Sequence, residues 1–144
     1  MKAKKLILCT AVIFVMYVVM DFVFYYYIFP ERFLSNALRE EPLKLWVILG
    51  LLIASFMFPY LYSKMAKGTH KTQEGMKLGF ALGVFMYMPL FLIFYGTRDT
   101  RPLAAWLTNA AFHVIQFMVF GIVVAHISGI PASAKSKSIE QMPA

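Results

Sequence analysis

The stretch Leu103–Ile127 reads LAAWLTNAAFHVIQFMVFGIVVAHI, and its reading decides the fold. It has the ~17–25 residue length that crosses a hydrocarbon core of about 30 Å. Three further runs match it: Leu6–Phe29, Leu45–Tyr62 and Gly75–Tyr95. In lipid a lone span must satisfy its own backbone polar groups, so each run is read as a helix. The four runs fill most of a 144-residue chain that is 60% hydrophobic and 15% charged, with mean hydropathy +0.68. A soluble domain carries about 45–50% apolar and about 25% charged residues. That excess excludes a soluble enzyme, a disulfide-rich secreted domain and a disordered tail. The fold class expected is an all-α membrane protein of four transmembrane helices, with residues 1–128 as the domain and 129–144 as a polar tail.

Lys2, Lys4 and Lys5 precede the first run, as in the charged start of a signal peptide. The run is too long for an h-region of about 7–15 residues and no small-x-small site follows it, so it is read as a retained span. The remaining charges set the topology. Lys2, Lys4, Lys5, Lys64, Lys67, Lys71, Lys77, Lys135 and Lys137 fall on one side; Arg32, Arg39, Lys44, Arg98 and Arg101 fall on the other. The richer side is cytoplasmic by the positive-inside rule, which places both termini inside. Glu31, Glu40 and Glu41 neutralise the first outer loop. The net charge of +7 is therefore mostly a feature of the cytoplasmic face, where it attracts anionic lipid. Basic residues spread over three segments argue against nucleic acid. Tyr25, Tyr26, Tyr27, Trp46, Tyr95 and Trp106 at the outer ends, with Tyr60 and Tyr62 at the inner end, read as headgroup-level anchors.

Between Pro30 and Pro42, Phe33, Leu34, Ala37 and Leu38 recur on one helical face, the pattern of a short amphipathic segment on the outer surface. Gly129, Pro131 and a Ser/Ala/Lys stretch read as a disordered terminus. Pro59 and Pro89 each free a backbone carbonyl and are expected to kink their helices. Cys9 is alone, forms no disulfide within the chain, and reads as a small apolar filler.

Lipid supplies no hydrophobic drive for helix association, so small residues and polar groups must hold the bundle. Gly75, Gly79 and Gly83 form one stripe at i+4 spacing. The last run carries Ala105, Gly121, Ala125 and Gly129 on a common row, with Asn109, His113 and Phe117 between them. The two rows predict that the third and fourth spans pack as a close hairpin. The alternative use of the stripe is an interface with another subunit.

The polar residues within the spans are the candidates for function. Asp21 lies about 12 Å below the outer border at ~1.5 Å per residue. By the same count Asn109 lies about 9 Å down, His113 and Ser55 about 15 Å, and Tyr87 about 12 Å. Asn109, His113 and Gln116 share one face, and Tyr17 and Tyr25 flank Asp21 by one turn. All four helices thus bring a polar group to one layer: Asp21, Ser55, Tyr87, Asn109, His113 and Gln116. An ionised carboxylate at that depth must be protonated, paired or wet, and the expected partners of Asp21 are His113, Asn109 or both. Two readings of the layer stand, a ligand- or proton-handling pocket and a hydrogen-bonded pair that fixes helix register. His113 is the only histidine deep in a span, and a haem would need Met86, Met88 or Met118 as second ligand. Neither a metal site nor any cofactor is read from the chain. The chain carries no Walker, G-x-S-x-G or H-E-x-x-H motif.

Asp21, Pro30-Glu31 and the run Glu74-Gly75-Met76-Lys77-Leu78-Gly79-Phe80-x-x-Gly83 resemble those of small four-helix bacterial inner-membrane proteins of unknown function. The likeness spans residues 5–127 and implies a fold and an address in the inner membrane. Glu31-Arg32 and Asn36 also look slightly like the polar motif of the membrane-associated glutathione and eicosanoid enzymes. Here those residues lie in an outer loop rather than in a bundle site. The expected function is that of a non-catalytic accessory or scaffolding subunit of a larger inner-membrane complex. Its partners would be the bilayer and other membrane subunits. The alternative is a binder or transporter of a small lipophilic molecule or proton through the polar layer. A third reading is a membrane enzyme using an Asp21–His113 pair.

Overall fold

The computed structural model describes residues 1–29, 43–67, 70–98 and 101–129. The amphipathic segment expected between Pro30 and Pro42, and the tail from residue 130, lie outside the described residues. Helix α1 covers Ala3–Val23 and passes into a π-helical turn, Phe24–Ile28. Helix α2 is Lys44–Met65, α3 is Lys71–Thr97 and α4 is Leu103–Ser128. All four candidate spans are long and apolar enough to cross a membrane. Helices α2 and α3 extend beyond their apolar runs at both ends, α1 at its start and α4 at its end, where flanking residues also take helical backbone.

The ends follow local chemistry. The turn Phe24–Ile28 closes with the Phe29 amide donating to the Phe24 carbonyl at 3.0 Å, a five-residue step, just ahead of Pro30. Ahead of α3, the Glu74 carboxylate accepts from the Lys67 amide at 2.8 Å and from the His70 amide at 3.5 Å. A carboxylate in the first turn also complements the helix dipole. Pro102, at φ −66°, leads directly into α4, where its missing N–H costs nothing. Helix α4 stops at Gly129, which takes the left-handed conformation at φ +55°. Here the Lys5 ammonium donates to the Ser128 carbonyl at 2.9 Å, so the first turn of α1 meets the last turn of α4. A side chain at Gly129 would strain the backbone and place its Cβ 2.6 Å from Lys5 Nζ. Helices α2 and α3 run on as continuous helices through Pro59 and Pro89.

Helix α4 is the hub. Half of its most apolar window is buried, against about a fifth for each of the other three. It packs most extensively on α3, while α1 packs on α2 and on α4. The α3–α4 seam is antiparallel: Gly75 faces Gly121 and Ala125, Gly79 faces Phe117 and Met118, and Gly83 faces Val114. A Cβ at Gly75 would sit 2.6 Å from the Gly121 carbonyl carbon, and one at Gly79 would sit 2.6 Å from that of Phe117. Only glycine admits backbones this close. The core joins Cys9, Ile13 and Tyr17 of α1, Phe58 and Tyr62 of α2, and Leu78 of α3 to Phe117, Phe120, Val124 and Ala125 of α4. A second cluster of Phe91, Trp106 and Ala110 closes the opposite end of the α3–α4 pair.

The aromatic residues divide into two groups. Tyr26, Tyr27, Trp46, Tyr60 and Tyr95 are exposed, as headgroup anchors would be. Trp106, Tyr62 and Tyr25 turn inward instead. Trp106 packs on Phe91 and Phe94, with the Arg101 guanidinium 5.5 Å from its ring centre. Burial there draws the Arg101 pKa below its ordinary value. Position along a span says how deep a ring lies; the packing decides which way it points.

Candidate functional site

The polar residues of α1 and α4 meet because both helices present them at i+4 and i+3 spacing and run antiparallel. Asp21 and Tyr25 sit one turn apart on α1 and its π-helical extension. Asn109, His113 and Gln116 line the facing stripe of α4 and are all buried. The Gln116 amide Nε2 donates to Asp21 Oδ1 at 2.7 Å. Gln116 Oε1 accepts from His113 Nδ1 at 2.8 Å. The other ring nitrogen, Nε2, lies 3.0 Å from the Tyr25 hydroxyl, which is also 2.9 Å from Asn109 Oδ1. One continuous hydrogen-bonded chain therefore runs Asp21–Gln116–His113–Tyr25–Asn109.

Its proton arithmetic is restrictive. With the Gln116 amide placed so that Nε2 donates to Asp21, its carbonyl oxygen only accepts, so Nδ1 of His113 carries a proton. Tyr25 has one proton to give. If it donates to Asn109 Oδ1, then His113 Nε2 must donate to Tyr25, and the ring is an imidazolium linked to the Asp21 carboxylate through the Gln116 amide. If Tyr25 donates to Nε2 instead, the ring is neutral and the Asn109 amide is turned over to donate from its nitrogen. Both arrangements satisfy every link, and they differ by one proton. A third turns over the Gln116 amide, so that a protonated Asp21 donates to Oε1, Nε2 of Gln116 donates to His113 Nδ1, and the neutral ring donates from Nε2 to Tyr25.

Helix α3 joins the layer through Tyr87. Its ring stacks on His113, with centroids 4.1 Å apart and planes 11° from parallel. Its hydroxyl is hydrogen-bonded to that of Tyr17 on α1. Phe91 lies nearly parallel to His113 at 6.0 Å, and Phe112 meets it edge-on at 5.1 Å. Phe112 in turn stacks on Phe24 of the π-helical turn at 3.7 Å. The imidazole is thus held by two hydrogen bonds in its plane and by rings around it.

Of the residues singled out in the sequence, Asp21, Tyr87, Asn109, His113 and Gln116 come together. The direct partner of Asp21 is Gln116, whereas His113 and Asn109 were the residues expected; they are reached through Gln116 and Tyr25. The longer Gln side chain, one turn deeper, spans a gap that the shorter Asn and the ring do not. Ser55 is fully buried on α2 but joins no part of this chain, and its hydroxyl has no hydrogen-bond partner among the described residues. Tyr25, which the sequence places one turn from Asp21 but outside the candidate layer, is a node of the chain. It reads as an interfacial anchor, and only its i+4 relation to Asp21 signals the inward orientation. Among the described residues no group of three or more His, Cys, Asp or Glu side chains is placed to hold a metal ion. His126 is exposed, with Nδ1 2.8 Å from its own helix at the Ile122 carbonyl, and His70 precedes α3.

Fold and site together define a multi-pass helical membrane bundle with a hydrogen-bonded polar layer between three of its four helices. No family model, curated protein or solved structure matches the chain.

Proposed function

We propose that the protein is a non-catalytic integral membrane protein, an accessory or scaffolding subunit of a larger assembly in a bacterial inner membrane. One observation carries the reading: the polar side chains of the layer, Ser55 apart, are engaged with partners across α1, α3 and α4, as polar groups that fix helix register are. The outer faces of α1, α2 and α3 support it too. They expose large apolar side chains such as Ile7, Trp46 and Phe85, available to lipid or to neighbouring subunits. The charge asymmetry favours both termini in the cytoplasm, with the amphipathic segment between α1 and α2 on the outer surface.

Extraction in mild detergent followed by native mass measurement tests this reading. The expected result is a particle much heavier than one 16.5 kDa chain, containing other membrane subunits. A monomer that retains a small lipophilic molecule beside His113 would overturn it. That result would favour the second reading, a binder or proton carrier, which the continuous chain from Asp21 to Asn109 supports.

A further inference from the structure

Helices α2 and α3 are neighbours in the chain and yet hardly touch among the described residues. Each is held to the bundle by other helices, α2 by α1 and α4, and α3 by α4. Where they approach their shared loop, a groove of about 350 Å³ opens between them. That volume lies at the small end of the ~300–1,000 Å³ range of ligand pockets. Tyr62 and Leu78, both core residues, form its floor, and Met65 and Ala81 form its walls. Lys67, two residues past the end of α2, and Lys77 from the second turn of α3 stand on its two rims. Glu74 also borders it, with its carboxylate turned to the Lys67 and His70 amides.

The groove therefore has an apolar floor and two rim lysines at the level where the span meets the loop. One turn, about 6 Å, separates Lys77 from Ala81 deeper along α3. A soluble anion would find charge here but no use for the apolar floor. An uncharged lipophile would find the floor and ignore the lysines. A molecule that offers a phosphate at the interface and an acyl chain below it uses both.

We propose that this groove binds one anionic phospholipid, its phosphate between Lys67 and Lys77 and the start of an acyl chain along Leu78 and Ala81. Lysine stems can lie along the apolar walls while their ammonium groups reach the headgroup level. The lipid fills the gap that α2 and α3 leave, and so ties the two halves of the bundle together at this end. The proposal rests on the groove and its charges alone, independent of the role of the polar layer.

Native mass spectrometry of the full chain, titrated with phosphatidylglycerol or phosphatidylcholine, tests it. One phosphatidylglycerol should bind in preference to phosphatidylcholine. A lysine beside an anionic lipid is worth about fivefold in affinity, so K67Q/K77Q should lower phosphatidylglycerol binding by about 25-fold and leave phosphatidylcholine binding unchanged. Ala81 is exposed, so A81W should fill the groove without disturbing the core, and should abolish the preference with both lysines intact. Glycerol 3-phosphate should not compete at matched concentration. Equal binding of the two lipids, an unaffected double variant, full competition by glycerol 3-phosphate, or a second copy of the chain seated in the groove would each overturn the proposal.

Discussion

Helix α4 is bound on two sides by different physics. Its seam with α3 is built from absence: glycines remove side chains so that one backbone rests on the other. Its seam with α1 is built from presence: Asp21, Tyr25, Asn109, His113 and Gln116 reach across and bond. The first seam depends on steep repulsion and admits no added atom. The second depends on hydrogen bonds whose partners can be exchanged at modest cost, because a helix released in lipid finds other partners for its polar groups. The α3–α4 pair should therefore be the less tolerant seam, although it contains less chemistry.

The largest effect should come from Gly79→Val. Its Cβ would fall 2.6 Å from the Phe117 carbonyl carbon, and backbone cannot step aside as a flexible side chain can. The helices must separate, at a cost of about 3 kcal/mol, the upper end of the usual range for overpacking. Thermal unfolding in detergent, followed by circular dichroism, measures it. Gly50 is the control. Nothing lies within 4 Å of a Cβ there, so Gly50→Ala should be neutral or raise stability by about 0.5–1 kcal/mol through helix propensity. Equal losses at the two glycines would show that the close approach at Gly79 is not what costs the stability.

Gln116→Leu comes next. Leucine keeps much of the volume but removes both the donor to Asp21 and the acceptor for His113. A loss of about 1–2 kcal/mol is expected, less than the steric clash. The same melting experiment reads the loss. A double-mutant cycle pairing it with Asp21→Ala should give a coupling of about 0.6 kcal/mol and no more than ~1.7 kcal/mol. A coupling near zero would show that the Asp21–Gln116 bond carries none of the seam's strength.

The two seams also differ in how legible they are in the sequence. Gly75, Gly79 and Gly83 announce a close approach by spacing alone, because a small residue has one use at a helix contact. The four spans announce themselves by length. The polar layer is legible as a depth, since ~1.5 Å per residue brings Asp21, Asn109 and His113 to a common level. Its wiring is not. Which residue meets Asp21 depends on helix rotation and side-chain reach, and the count of residues holds neither. Tyr25 and Trp106 were misplaced for the same reason. An aromatic ring near a border serves equally as an anchor or as packing, and the neighbouring helix decides. Ser55 lies at the right depth on a helix that packs against α1 and α4, yet its hydroxyl reaches none of their polar groups.

The smallest effect should be that of Asp21→Asn, and it bears most directly on what the α1–α4 seam is for. The variant keeps a carbonyl oxygen where Oδ1 accepts from Gln116, so the bond that positions α1 on α4 survives. What it removes is the charge, together with the imidazolium arrangement that the charge stabilises; the neutral arrangement, with Tyr25 donating to His113 and the Asn109 amide turned over, remains available. If the layer is a register lock, either arrangement serves, and the melting temperature and native mass should stay within the scatter of surface substitutions, about 0.5 kcal/mol. Asp21→Ala should lose more, because it deletes the acceptor as well as the charge. The ranking Ala worse than Asn isolates the hydrogen bond from the charge. If Asn proves as damaging as Ala, or more damaging than Gln116→Leu, the charge itself is what the seam requires, and the polar layer is a proton site rather than a fastening.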